Sequence, residues 1–220
     1  MYNILKTIKL DYYILMTFSP WLLLLVFVIA ALIGIISSEP EFIIGIVLMT
    51  SAFFMTSLFA VAEKNNLNTL YGTLPVTKPD IVAGRYLFSL LVGFLNAVLA
   101  TFAAVFISRV FQFETTNPTL AAWLCGSFFL YCLLISVQFP LYFRYDFSRI
   151  SAVANTPLVV LFIAIALILG KSPELMGQAA EFFVDNTYAM WLTGIVGGIF
   201  LLGVSMLLAI VLYRRRELGG

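Results

Sequence analysis

Residues Phe42–Arg85 read FIIGIVLMTSAFFMTSLFAVA and then EKNNLNTLYGTLPVTKPDIVAGR. The first half, Phe42–Ala62, is an unbroken apolar run with no charge. The second half, Glu63–Arg85, is built for water. A run of about 20 apolar residues is what a helix needs to cross a hydrocarbon core about 30 Å thick. The pair therefore reads as a membrane span followed by a solvated loop, and the rest of the chain repeats that alternation.

Working outward, the oily runs fall at Pro20–Ser37, Phe42–Ala62, Tyr86–Ser108, Leu120–Pro140, Ser151–Gly170 and Ala189–Tyr213. The expected fold class is all-α, a polytopic membrane protein with six transmembrane helices forming one domain over residues 1–220. Composition agrees: 62% of residues are hydrophobic, only 10% are charged, and 21 are Phe. A soluble domain of this length needs far more charge to cover its surface. Mean hydropathy is +1.06. The runs are continuous rather than alternating, which argues against a barrel. No A-x-A-like site follows the first run, so no cleavable signal peptide is expected.

The basic residues sort by side. Ten of the twelve fall in one set: Lys6, Lys9, Lys64, Lys78, Arg85, Arg144, Arg149, Arg214, Arg215 and Arg216. Arg109 and Lys171 fall on the other side. The excess of Lys and Arg in cytoplasmic loops then places both termini and the Glu63–Arg85 loop in the cytoplasm. The segment 1–18 is expected to be an interfacial helix. Ile4, Leu5, Ile8, Tyr12 and Leu15 share a face, with Lys6 and Lys9 off it. The competing reading is a frayed start to the first span, and Pro20 as a break favours the former.

The wet loop, residues 63–80, has internal order. Leu67, Leu70, Tyr71 and Leu74 recur at i, i+3, i+4 and i+7, an apolar stripe on a short helix. Gly72 and Pro75 end it. Thr77-Lys78-Pro79-Asp80 reads as a capping box that restarts a helix. An amphipathic helix in a membrane protein's soluble loop is a docking element, and Glu63 stands at its entrance. The competing reading is an ordinary polar connector. The second cytoplasmic loop, Tyr142–Arg149, is aromatic and basic. Interfacial anchoring accounts for it, and Arg144 and Arg149 as a second partner contact is the functional alternative. For the outer loop, 171–188, a re-entrant lid and a passive connector fit equally.

Much chemistry is missing. There is no His, and no metal site is expected. Cys125 and Cys132 stack on one helix face about 10 Å apart by helical rise, too far for a disulfide. Every Asp, Glu, Lys and Arg falls in a loop or at a span end, unlike proton-coupled transporters and channels. Asn96 and Gln138 are the strongest polar groups within spans. Helix–helix hydrogen bonding is their default role, and they are also the best candidates for facing a translocation path. Gly194 and Gly198 form a G-x-x-x-G, which marks close helix packing as often as dimerisation. Pro140 and Pro157 are expected to break or kink their helices. Gly170-Lys171-Ser172 resembles the end of a phosphate-binding loop, but the glycine required five residues earlier is Ile165. The chain is therefore expected to be no enzyme and to bind no nucleotide.

Three segments together resemble a known family. They are Leu5-Lys6 with Lys9-Leu10-Asp11, then Glu63-Lys64 with Tyr71–Lys78, Ile81-Val82 and Arg85-Tyr86, and last Pro140–Arg144. They resemble ABC-2 type (type V exporter-like) permeases, in particular the compact six-span subunits of phenol-soluble modulin exporters of Gram-positive bacteria. Tyr145-Asp146 departs from the pattern, where a small residue such as Gly is expected. The resemblance implies a separate ABC ATPase in two copies, which carries the ATP and Mg. It also implies a second permease subunit (homo- or heterodimer), no nucleic acid, and a bacterial plasma membrane. Leu67, Leu70, Tyr71 and Leu74 would be the coupling helix. The expected substrates are amphipathic or hydrophobic molecules such as small toxic or antimicrobial peptides. A non-transporting scaffold or sensor using the same loop is the alternative, and an ion-driven secondary transporter comes third.

Overall fold

The computed structural model describes residues 2–18, 20–65, 77–113, 115–156, 160 and 186–215. Among these the secondary structure is helical. The helices are α1 (Tyr2–Phe18), α2 (Pro20–Ile36), α3 (Phe42–Lys64), α4 (Lys78–Phe111) and α5 (Asn117–Arg144). A helical stretch follows over 147–156. Thr187–Trp191, a π-helical turn at Leu192–Val196 and Gly197–Arg215 then run on as one helix, α6.

Among the described residues, α3, α4, α5 and Tyr188–Arg215 are each long and apolar enough to cross a membrane. The axes of Ile4–Met16 and Trp21–Ile36 meet at 69°, the break expected at Pro20. Alone, α2 has 17 residues, the lower limit for a crossing. So α2 to α6 coincide with five of the six expected spans. The remaining one, Ser151–Gly170, lies mostly outside the described residues.

Thr77 caps the start of α4 as its sequence predicts. The Thr77 hydroxyl accepts from the Asp80 N–H at 3.4 Å and donates to the Asp80 carboxylate at 2.7 Å. Proline in the first turn completes the start. From there α4 runs 34 residues, about 50 Å at 1.5 Å per residue. A hydrocarbon core takes about 30 Å, so α4 must protrude, and Lys78–Arg85 is its polar end.

Pro140 does not end its helix; α5 continues to Arg144. A proline inside a helix leaves the carbonyl four residues back without its N–H. Here that carbonyl belongs to Ser136, and the Ser205 hydroxyl of α6 donates to it at 2.6 Å. The Tyr86 hydroxyl of α4 lies 2.7 Å from the same Ser205 oxygen. A neighbouring helix thus satisfies the group that proline orphans, the condition for a proline within a membrane span.

The small residues decide how close the helices come. A Cβ at Gly194 would lie 2.6 Å from the Cys125 Cβ, and one at Gly198 would lie 3.1 Å from the Cys132 Sγ. The G-x-x-x-G face is therefore used within the chain, packing α6 on α5. Both cysteines are free and buried, the small apolar role expected of them.

Candidate functional site

One end of the bundle carries Lys64 of α3, Lys78 and Arg85 of α4, Arg144 of α5 and Arg214 of α6, and Arg85 is buried there. Arg85 sits on α4, two turns after its cap, and is 4% exposed. Its guanidinium lies 4.4 Å from the centre of the Phe59 ring of α3 and 5.8 Å from that of Phe143 of α5. Its Nε is 3.6 Å from Asp11 Oδ1 of α1, and Asp11 is fully buried. One cation thus touches three other helices. The rings around it pack on one another: Phe59 with Phe139, Tyr142 and Phe143, and Phe143 with Tyr213 of α6. A guanidinium is the cation suited to this place, since it stacks flat on aromatic faces and is weakly hydrated.

Backbone proximity holds the ion pair in place. A Cβ on Gly84 would meet the Thr7 Cβ at 2.7 Å, so only glycine lets α1 lie this close to α4. Thr7 and Asp11 are one turn apart on the same face of α1. Burial pushes the Asp11 carboxyl up to about 6, against the pull of the Arg85 charge, which lowers it.

Of the expected α1 face, Leu5 and Tyr12 are exposed, Ile4 and Ile8 are half-buried and Leu15 is buried. Thr7, Asp11 and Leu15 are buried, while Leu5, Tyr12, Tyr13 and Met16 are exposed. The expectation put Leu5 and Tyr12 on the apolar face of an interfacial helix, and their exposure leaves them open to lipid. In a membrane protein an apolar face can meet lipid, and the polar groups turn inward to find partners. That inward turn explains why Asp11 and Arg85 did not stand out. Both were counted as charges at span ends, whereas the structure buries them in a pair. The spacing of Thr7 and Asp11 with Leu15 was the available signal.

Glu63, at the end of α3, is also engaged. Its carboxylate accepts from the Ser148 hydroxyl at 2.5 Å and from the Ser148 N–H at 3.2 Å. Ser148 lies in the first turn of the 147–156 stretch, where the Asp146 carbonyl accepts from the N–H groups of Arg149 and Ile150. Glu63 therefore places negative charge and two acceptors at a helix N-terminus, where the backbone favours them. The two expected loops meet here. Arg144 and Arg149 are exposed beside this contact, with the Arg144 guanidinium 5.4 Å from the Tyr145 ring. Leu67, Leu70, Tyr71 and Leu74 lie outside the described residues.

The two amides are buried and bonded between helices. Asn96 of α4 donates to the Ser51 hydroxyl of α3 at 2.8 Å. Gln138 of α5 donates to Asn155 Oδ1 at 3.2 Å. Among the described residues no group of His, Cys, Asp or Glu could hold a metal.

A helical chain with several apolar membrane-crossing helices, knotted at one basic end by buried charge and aromatic rings, is a polytopic membrane protein. The chain belongs to the ABC-2 family of transporters: the family model described as "ABC-2 family transporter protein" matches residues 6–214. It matches no curated protein and no solved structure. The chain is thus the membrane component, or permease, of an ABC transporter, a kind of subunit that works with an ABC ATPase.

Proposed function

We propose that this permease belongs to an exporter, and that a separate ATPase drives it by docking on the loop between α3 and α4. The observation that carries this reading is the engagement of both ends of that loop. Glu63 at its entrance holds Ser148, and Arg85 beyond its exit holds Asp11. A displaced loop would therefore move packed helices rather than flex alone. Leu67, Leu70, Tyr71 and Leu74 form the docking stripe, with Arg144 and Arg149 as a second contact. ATP and Mg bind on the partner, and this chain carries no catalytic residue. Two ATPase copies and two permease subunits make the complex, with both termini in the cytoplasm of a bacterial cell.

The cargo is amphipathic or hydrophobic, with small toxic or antimicrobial peptides as the leading class, as in the phenol-soluble modulin exporters that the loop sequence resembles. Asn96 and Gln138 join α3 to α4 and α5 to the 147–156 stretch, so parting those helices would turn an amide toward the path. The test is Leu70→Asp with Tyr71→Asp. The expected result is loss of the co-purifying ATPase while the permease remains folded in the membrane. A variant that keeps its ATPase and full ATP-driven transport overturns the docking assignment. A wild-type chain that co-purifies with a kinase or other enzyme instead supports a scaffold.

A further inference from the structure

We infer that the α3–α4 loop drives two separate outputs, one through Arg85 to α1 and one through Glu63 to the helical stretch 147–156. This rests on the docking reading above and deepens it by assigning the positioning residues.

The two linkages leave the loop from opposite ends. At the exit, α4 begins at the capped Thr77 and reaches Arg85 two turns later, without a break. Arg85 contacts Asp11, and Gly84 beside it touches Thr7. These two contacts fall on one face of α1, and α1 packs chiefly on α4. The bend at Pro20 separates α1 from α2 by 69°. So α1 is fixed to the first turns of α4 and is not continuous with α2, and a movement of α4's polar end carries α1 with it.

At the entrance, Glu63 lies in the last turn of α3. Its carboxylate holds the first turn of the 147–156 stretch through both the N–H and the hydroxyl of Ser148. That stretch is bonded further along to α5 through Gln138 and Asn155. A twist of α3's end therefore acts on the start of this helix directly.

Energetics favour linkage over stability as the reason for the Arg85 contact. Two buried charges lose hydration that their mutual attraction barely recovers, and apolar replacements of a whole pair are often neutral. The 3.6 Å approach of Nε to Oδ1 is longer than the roughly 2.7–2.9 Å of the strongest charge-assisted bonds. What the pair does supply is register, since only one position of α1 brings Asp11 to Arg85.

The test uses the permease–ATPase complex in lipid nanodiscs. Nitroxide pairs are placed at Leu5→Cys with Phe106→Cys for α1, and at Val153→Cys with Phe106→Cys for the second helix. All three positions are exposed, while native Cys125 and Cys132 are buried. Distances are read with and without ATP and vanadate. In the wild type both pairs shift with nucleotide. In Asp11→Asn/Arg85→Met, which removes both charges of the pair together, the Leu5 shift is abolished and the Val153 shift persists. In Glu63→Ala the pattern reverses. Each variant's surviving shift shows that it is folded and still docks. If both shifts survive either change, or either change abolishes both while the ATPase still co-purifies, the two-output assignment is overturned while docking stands; a change that abolishes both and loses the ATPase overturns that residue's role as a linkage. A wild-type complex with no nucleotide response at either pair overturns this assignment, and a complex that keeps its ATPase after Leu70→Asp with Tyr71→Asp overturns docking.

Discussion

Asp11 shows how burial and charge compete at a single residue. The ordinary carboxyl value is 3.8, and burial raises it to about 6 in the folded chain. A raised carboxyl means the folded state holds its proton more tightly than the unfolded one. The associated stability is present in full below about 3.8 and is lost as pH rises through about 6. Thermal melts of the detergent-solubilised protein between these values should show the wild type losing stability as pH rises. Asp11→Asn, which cannot ionise, should lack that slope, and an identical slope in both would assign it to another group. At Arg85 the ring faces of Phe59 and Phe143 demand a flat cation. Arg85→Lys keeps the charge but loses the stacking, so it should weaken the α1–α4 contact as Asp11→Asn does, read as faster hydrogen exchange in α1.

Packing of one element on another turns on a few atoms. At Pro140, α5 survives because Ser205 supplies the donor that the backbone lacks. Ser205→Ala should cost about 0.6 kcal/mol, a typical interhelical hydrogen bond in a membrane protein, and at most about 1.7. Pro140→Ala restores the N–H, so in that background Ser205→Ala should cost less. Equal costs in the two backgrounds would show that Ser205 does not serve Ser136. The contact of α6 with α5 admits no Cβ at Gly194, whereas a Cβ at Gly203 meets nothing within 4 Å. Gly194→Val should therefore destabilise by about 1–3 kcal/mol through overpacking, and Gly203→Val by less than about 0.5. These elements were legible in the sequence to different depths. Apolar runs and the Thr77–Asp80 box gave the helices and one true start, because both are local signals. The survival of α5 through Pro140 was not legible, since the rescuing hydroxyl comes from a residue far along the chain. The inward turn of Asp11 and Arg85 was hidden for a related reason. Hydropathy locates the membrane, but lipid and protein interior are equally apolar, so it cannot say which helix face meets which.

Across the whole molecule the distribution of charge bears on the proposed orientation. Lys64, Lys78, Arg85, Arg144 and Arg214 lie at the helix ends gathered around the Arg85 knot, and Arg109 lies in the last turn of α4. α4 is too long to end within the bilayer, so its two ends must emerge on opposite sides. The excess of basic residues at the knot supports the proposed orientation, with that end in the cytoplasm, where ATP is. Two exposed positions read this directly. Asn65 follows α3 at the basic end, and Gln112 follows α4 at the other. In intact cells a membrane-impermeant maleimide should label Gln112→Cys and should reach Asn65→Cys only after permeabilisation. The buried Cys125 and Cys132 should contribute no background. The reverse pattern would put the α3–α4 loop outside, out of reach of any cytoplasmic ATPase, and would remove the physical basis for docking. Labelling of both in intact cells would mean that α4 does not cross. The outcome expected here leaves the loop, its two anchors and the nucleotide on one side, the arrangement in which hydrolysis can do mechanical work on the helices.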